Sequence, residues 1–188
     1  MQFSAAATVP ATPEATREMQ IRAERSEDRE AVFGVNRMAF LQESEARLVD
    51  ALHRSSAFIP ELSLVALDGS DVVGHILFTR ITVQGDDQAH AALALAPMAV
   101  LPLFQRKGIG SALVRRGLEE ARGFGHRVVI VVGHPDYYPR FGFVPAQPLG
   151  ILPPFEVPSE AFMVLELQPS ALLGIQGVVK YPAEFNEV

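Results

Sequence analysis

Apolar and polar residues alternate through Met19–Arg25 (MQIRAER), the period-two pattern of a half-buried strand. Ser26 is then followed by Glu27, Asp28, Arg29 and Glu30, a capping residue before an acidic first turn, which predicts a helix start. Ala31, Val32, Val35, Ala39 and Phe40 supply the apolar face of that helix. A second helix is predicted from Glu43 to about Ser55 through Ala46, Leu48, Val49 and Leu52. Two strands follow, Leu62–Leu67 and Val72–Ile81, joined by Asp68-Gly69-Ser70-Asp71, whose small polar residues suit a tight hairpin turn. Beyond a loop over 84–90, Ala91–Leu101 is apolar at nearly every position. A strand buried on both faces has that pattern, so it is placed at the centre of a sheet.

A loop over Pro102–Lys107 leads into a predicted helix from about Gly108 to Arg122, in which Ile109, Leu113, Gly117 and Ala121 recur four apart as one apolar stripe. Gly123 and Gly125 end it. Arg127–Val132 is then almost purely β-branched, another buried strand. Strand, helix and strand at this spacing make a βαβ crossover with parallel strands. Seven of the 14 prolines fall between Pro135 and Pro158, so only short elements fit there. Ala161–Leu167 reads as a last sheet strand and Gly174–Tyr181 as an edge strand.

Composition narrows the function classes. The 188 residues are 48% hydrophobic and 20% charged, which describes one globular domain and not a charge-driven disordered chain. There is no Cys, so disulfides, thiolate metal sites and a cysteine nucleophile are excluded. The five histidines lack H-x-x-x-H spacing, and no metal is expected. The first eighteen residues, rich in Ala, Thr and Pro, have neither the basic start nor the apolar core of a secretory signal and are expected to form a flexible tail. The longest uncharged apolar stretch, Ala91–Phe104, is interrupted by Pro97 and Pro102 and is too short for a membrane span of about 20 residues. A cytoplasmic protein is expected. The net charge of −6 argues against a nucleic-acid partner, whose phosphates need clustered Lys and Arg.

The cations are nevertheless uneven. Arg106, Lys107, Arg115 and Arg116 put four positive charges into the twelve residues from Gln105 to Arg116, with no acid among them. Within that stretch Gln105, Gly108 and Gly110 lie where a buried strand gives way to a helix. Free backbone N–H groups and the positive helix end favour an anion there, and glycine lets the backbone approach phosphate oxygens without a Cβ in the way. No Lys-Ser or Lys-Thr exists for a Walker loop, and Leu113 stands where the third glycine of a dinucleotide fingerprint belongs.

The remaining pattern, Gln105-x-x-Gly108-x-Gly110 leaving a mid-chain strand, resembles the pyrophosphate loop of the GNAT superfamily of acetyl-CoA-dependent N-acetyltransferases. Tyr137-Tyr138-Pro139-Arg140-Phe141-Gly142-Phe143 resembles the family's F-Y-x-x-x-G-F segment, with Tyr137 in place of its Phe. LVRRGLEEAR, GHPDYYPRFGFVPA and FEVPSEAFMVLEL are similar to a branch of small bacterial members without defined substrates. The resemblance spans roughly residues 19–168 and implies an α/β (α+β) GNAT-like fold: a central mixed twisted sheet of about six or seven strands with helices on both faces. Residues 169–188 are then an extension packed on that domain or at a subunit interface. The apolar segment Ala171–Phe185 would suit a homodimer.

The resemblance also implies site residues. The pantetheine arm of acetyl-CoA would pair with Met98, Ala99 and Val100, and the diphosphate would rest on Gln105, Arg106, Lys107, Gly108, Ile109, Gly110 and Ser111. Tyr138 matches the tyrosine that stands near the cofactor sulfur, and a phenol donates a proton at neutral pH. The amide of Val100 or Ala99 would stabilise the oxyanion. The base is less constrained. His134 and His75 are candidates because histidine as a residue type titrates near neutrality, with a half-buried strand histidine as the plainer reading of His75. Glu43 and Glu45 open the second helix, where they could meet a cationic amine or simply complement the helix dipole. The expected activity is acetyl transfer to a primary amine of a small molecule or protein. A non-catalytic acyl-CoA-binding or sensing module is the alternative, and it would not need Tyr138.

Overall fold

The computed structural model describes residues 19–186, so the expected tail over 1–18 lies outside the described residues. Strand β1 (Met19–Ala23) is followed by helices α1 (Arg29–Phe40) and α2 (Ser44–Leu52), the hairpin β2 (Ser63–Asp68) and β3 (Asp71–Gln84), then β4 (Ala89–Val100), α3 (Ile109–Gly123) and β5 (Val128–Val132). The proline-rich segment holds only the two-residue strands β6 (Val144–Pro145) and β7 (Ile151–Leu152), before β8 (Phe162–Glu166) and β9 (Gly177–Lys180). One mixed sheet runs β1-β2-β3-β4-β5-β8-β6, with β9 joined to β3 and to β7; its pairs are antiparallel except β4 with β5 and β7 with β9.

Alternation along β2 sends its side chains to opposite faces. Val65 and Leu67 join Leu77 beneath Val32, Leu48, Val49 and Leu52 of α1 and α2. Leu64 and Ala66 join Ile76 and Phe78 beneath Ile109, Leu113, Val114 and Leu118 of α3. The stripe Ile109, Leu113, Gly117, Ala121 is buried as its spacing predicts.

Two expectations change. The sheet is wider than six or seven strands because the described residues include the short β6 and β7. And β9 is not an edge strand. It pairs with the far half of β3 (Thr82↔Lys180, Val83↔Val179) and, on its other side, with β7. β2 covers only the first half of β3, which leaves the room that β9 fills. Ala171, Ile175 and Val179 of the extension are accordingly buried within their own chain.

Candidate active site

β4 and β5 are in register only at Leu93↔Val129 and Ala94↔Ile130. Past that point they part. On the other side β4 stays joined to β3, but its register shifts: Phe78 faces Leu95, Ile76 faces Met98, and Ala96 and Pro97 stand against one residue of β3. A bulge of this kind bends a strand and re-aims the residues after it, and Pro97 has no N–H to lose from the ladder. From Leu95 to Val100, the edge of β4 facing β5 therefore has no neighbouring strand, and its backbone groups line a cleft.

The cleft is part of a cavity of about 1340 Å³. The first turn of α3 stands at its mouth. Ala112 N–H makes the first helical bond, to Gly108 O at 2.9 Å, so the amides of Ile109, Gly110 and Ser111 have no acceptor within the helix. Gly108 precedes them at φ 87°, and Arg106 at φ 61°, left-handed conformations that glycine adopts at little cost. A Cβ on Gly110 would lie 3.1 Å from Tyr137 Oη and 3.3 Å from Met98 Sδ, so any side chain here must push one of these two groups aside.

Met98, Ala99, Val100, Gln105, Arg106, Gly108, Gly110, Ser111, His134 and Tyr138 all line the cavity. Lys107 and Ile109 do not. Lys107 Nζ sits over the Phe104 ring, 5.1 Å from its centroid, and the Ile109 side chain is buried under α3. Gln105 lines the cavity, but its side-chain amide donates to Val100 O at 3.0 Å, tying the loop to the end of β4. The run of four cations is also thinned. Arg116 pairs with Glu120, Arg115 stacks on Phe141 at 5.4 Å, and neither reaches the cavity. In their place comes Arg140, which lines the cavity and lies 4.4 Å over the Tyr137 ring.

Tyr138 opens a 3-10 turn, Tyr138–Phe141, whose start is held by Tyr137 and Tyr138 N–H bonds to His134 O at 3.0 and 3.3 Å. Its ring packs edge-on to Phe143 and is 7% exposed. Burial, reinforced by Tyr137, pushes its phenol well above the ordinary range. It is therefore fully protonated at neutral pH, and its hydroxyl has no hydrogen-bond partner among the described residues. Tyr137 Oη instead lies 3.5 Å from Ser111 Oγ.

His75 is absent from the cavity wall. It is completely buried on β3 beneath α1, where Asn36 Nδ2 donates to Nδ1 at 3.2 Å and Ser63 Oγ lies 3.0 Å from Nε2. Ser63 in turn donates to the buried Glu24 carboxylate, which also lies 3.0 Å from His53 Nε2. His75 is thus a core histidine, more deeply buried than the half-buried reading.

The Acetyltransferase (GNAT) family model matches residues 21–143. The chain belongs to the GNAT acetyltransferase family. It is 40% identical over 146 residues to the uncharacterized N-acetyltransferase YjhQ of Escherichia coli K12, covering 74% of this chain and 81% of that one. It is 34% identical to the uncharacterized N-acetyltransferase YhbS of the same strain, over 89% and 99%. The crystal structure of Escherichia coli YhbS in complex with CoA superposes at a TM-score of 0.83, with 32% identity over 94% of this chain and 96% of that one. A Brucella melitensis GNAT acetyltransferase in complex with acetyl-CoA gives 0.74, with 33% identity over 90% and 99%. No helix among the described residues is long and apolar enough to cross a membrane.

The other half of this GNAT cavity comes from elements distant in sequence. Phe40 and Glu45 reach it from the α1–α2 corner, Phe155 from the proline-rich segment, and Lys180, Tyr181 and Phe185 from the C-terminal extension. Of the two glutamates at the start of α2, Glu45 lines the cavity, while Glu43 turns away to Arg47 at 2.8 Å. Sequence reading missed the aromatic set. Its one usable signal was the apolar character of 171–185, which suggested a subunit contact instead. Gly133 was missed as well. A Cβ there would overlap the Tyr138 ring.

Proposed function

We propose that this chain is an N-acetyltransferase that moves an acetyl group from acetyl-CoA to a primary amine. The parting of β4 from β5 beside the first turn of α3 carries this reading. An extended polar arm fits along the unpaired edge at Met98–Val100, and a diphosphate fits against the amides of Ile109–Ser111 with Arg106 nearby. The narrow approach at Gly110 suits close contact between backbone and phosphate. The relatives crystallised with CoA and acetyl-CoA support the same ligand. Bound acetyl-CoA supplies a thioester carbonyl as the electrophile.

The chain's own groups supply the rest. The N–H of Val100, which alternation turns away from β3 while Leu101 N–H bonds to Val73 O, is the donor for charge developing on the carbonyl oxygen. His134, at the cavity wall, takes the proton that the attacking amine must lose. Tyr138 presents a protonated phenol to the departing sulfur. The burial that keeps it protonated also makes it a reluctant acid. It therefore acts first as a hydrogen-bond donor and completes the transfer as charge builds on sulfur.

Thermal unfolding with acetyl-CoA followed by thiol release with an amine panel tests this. At a hundredfold excess over Kd a ligand adds about 2.7 kcal/mol, roughly 5–10 °C for a domain of this size. No rise in Tm overturns the cofactor site. A rise without acetylation of any amine leaves the non-catalytic acyl-CoA-binding module.

A further inference from the structure

The half of the cavity away from α3 is lined by aromatic rings that follow one another. Phe155 stands 5.9 Å from Tyr181, and Tyr181 5.0 Å from Phe185, centroid to centroid. Phe155 is 49% exposed and Phe40 38%, so both keep uncovered ring surface while lining the cavity. Tyr181 is mostly buried, with its phenol pushed up to about 12 by that burial. Rings arranged in this way offer edge and face contacts to another ring.

Charge in the same region is sparse and asymmetric. Glu45 is the one carboxylate lining the cavity among the described residues. Its oxygens accept from Gln42 Nε2 at 2.9 and 3.1 Å and from Ser44 Oγ at 3.3 Å. It has no cationic partner among the described residues, unlike Glu43 and Glu120, which are paired with arginines. An oriented, unneutralised carboxylate beside an apolar pocket attracts one cation. Lys180 follows on the adjacent wall and opposes a second one.

We infer that the acceptor is an arylalkyl monoamine, its ring held against Phe155, Tyr181 and Phe185 and its ammonium drawn by Glu45. A polyamine would bring further positive charges toward Lys180, and a lysine side chain would bring no ring to the aromatic wall. The inference rests on the transferase reading only for the fate of the amine; the binding itself does not.

Binding of 2-phenylethylamine, spermidine and Nα-acetyllysine amide to the CoA-saturated protein is measured by calorimetry, and turnover of each with acetyl-CoA by thiol release. We expect 2-phenylethylamine to bind at least tenfold more tightly than the other two, and 2-phenylethanol, which lacks the charge, to bind at least tenfold more weakly than 2-phenylethylamine. Glu45→Gln should raise KM for 2-phenylethylamine about tenfold with kcat little changed. Phe155→Ala should do the same, and because Phe155 is half exposed this variant does not depend on the core, as Tyr181→Ala would. No binding of 2-phenylethylamine, or tighter binding of spermidine or the lysine amide, overturns the inference. Binding of 2-phenylethylamine with no amine acetylated upholds the binding site and overturns the transferase reading, whereas its binding while only another amine is acetylated overturns the inference. Acetylation of another amine, with 2-phenylethylamine unbound, overturns the inference and upholds the transferase reading.

Discussion

The ring of Tyr138 occupies the space where a side chain on Gly133 would begin. Gly133 ends the β5 side of the cleft, with its N–H bonded to Ala161 O at 2.9 Å, so its backbone is not free to retreat. Gly133→Ala must therefore move the tyrosine. If Tyr138 is the proton donor, this variant and Tyr138→Phe share one signature: kcat falls, by roughly a hundredfold for the phenylalanine, while acetyl-CoA affinity changes little. Steady-state kinetics with a separate titration of acetyl-CoA separates the two parameters. Equal kcat for Tyr138→Phe and wild type removes the assignment.

Gly110 predicts the opposite signature. Its missing Cβ leaves 3.1 Å to Tyr137 Oη and 3.3 Å to Met98 Sδ, so Gly110→Val closes the approach between the start of α3 and β4. Acetyl-CoA Kd should rise tenfold or more, and the Tm increase given by acetyl-CoA should disappear before kcat at saturation does. An unchanged Kd would move the diphosphate away from this turn.

The turn that opens α3 was legible because its signals are local. Gly108, Gly110 and the strand before them lie within one short stretch, and the backbone conformation they require follows from residue type. Counting cations along the same stretch misled. A helix turns about 100° per residue, which carries Arg115 and Arg116 away from the cleft to Phe141 and Glu120. The aromatic half of the cavity was not legible. Phe155 and Tyr181 are brought together only because β9 pairs with both β3 and β7, and two-residue strands carry no periodicity to read. His75 shows a third kind of failure: alternation along β3 places it on one face, but only the position of Asn36 on α1 decides how completely it is covered.

Gly117 and Gly34 should respond in opposite directions to alanine. In an exposed helix this change stabilises by up to about 1 kcal/mol. Gly34, inside α1, has nothing within 4 Å of an added Cβ, and Gly34→Ala should raise Tm by a few degrees. On Gly117 the added Cβ would run into the Phe78 ring in the core. Overpacking costs about 1–3 kcal/mol and exceeds the helix gain, so Gly117→Ala should lower Tm by roughly 2–8 °C. A stabilised Gly117→Ala would mean that the Phe78 ring yields to a methyl group at the β3–α3 contact.

The chain buried under α1 and α2 predicts how stability depends on pH. Burial alone would raise the Glu24 carboxyl, but hydrogen bonds from His53, His75 and Ser63 outweigh it and hold the group well below its ordinary 4.5. His75 is pushed below its ordinary 6.5, chiefly by burial, with Glu24 only partly opposing. In both cases the unfolded chain binds protons more readily than the folded one, so stability rises with pH. It should be complete above about pH 7. It should begin to fall as pH drops through 6.5, where the unfolded histidine takes up its proton, and fall further below 4.5, where the unfolded glutamate does. Tm measured from pH 8 to pH 4 should show that two-stage decline. His75→Gln removes the titrating ring and should flatten the stage between 6.5 and 4.5. Glu24→Gln should lower Tm at pH 7, because it takes the charge from an acceptor of several hydrogen bonds, and should flatten the stage below 4.5. A Tm that rises on acidification between pH 7 and 5 would show that His75 is protonated in the folded protein and paired with Glu24 as an ion pair, not held neutral between Asn36 and Ser63.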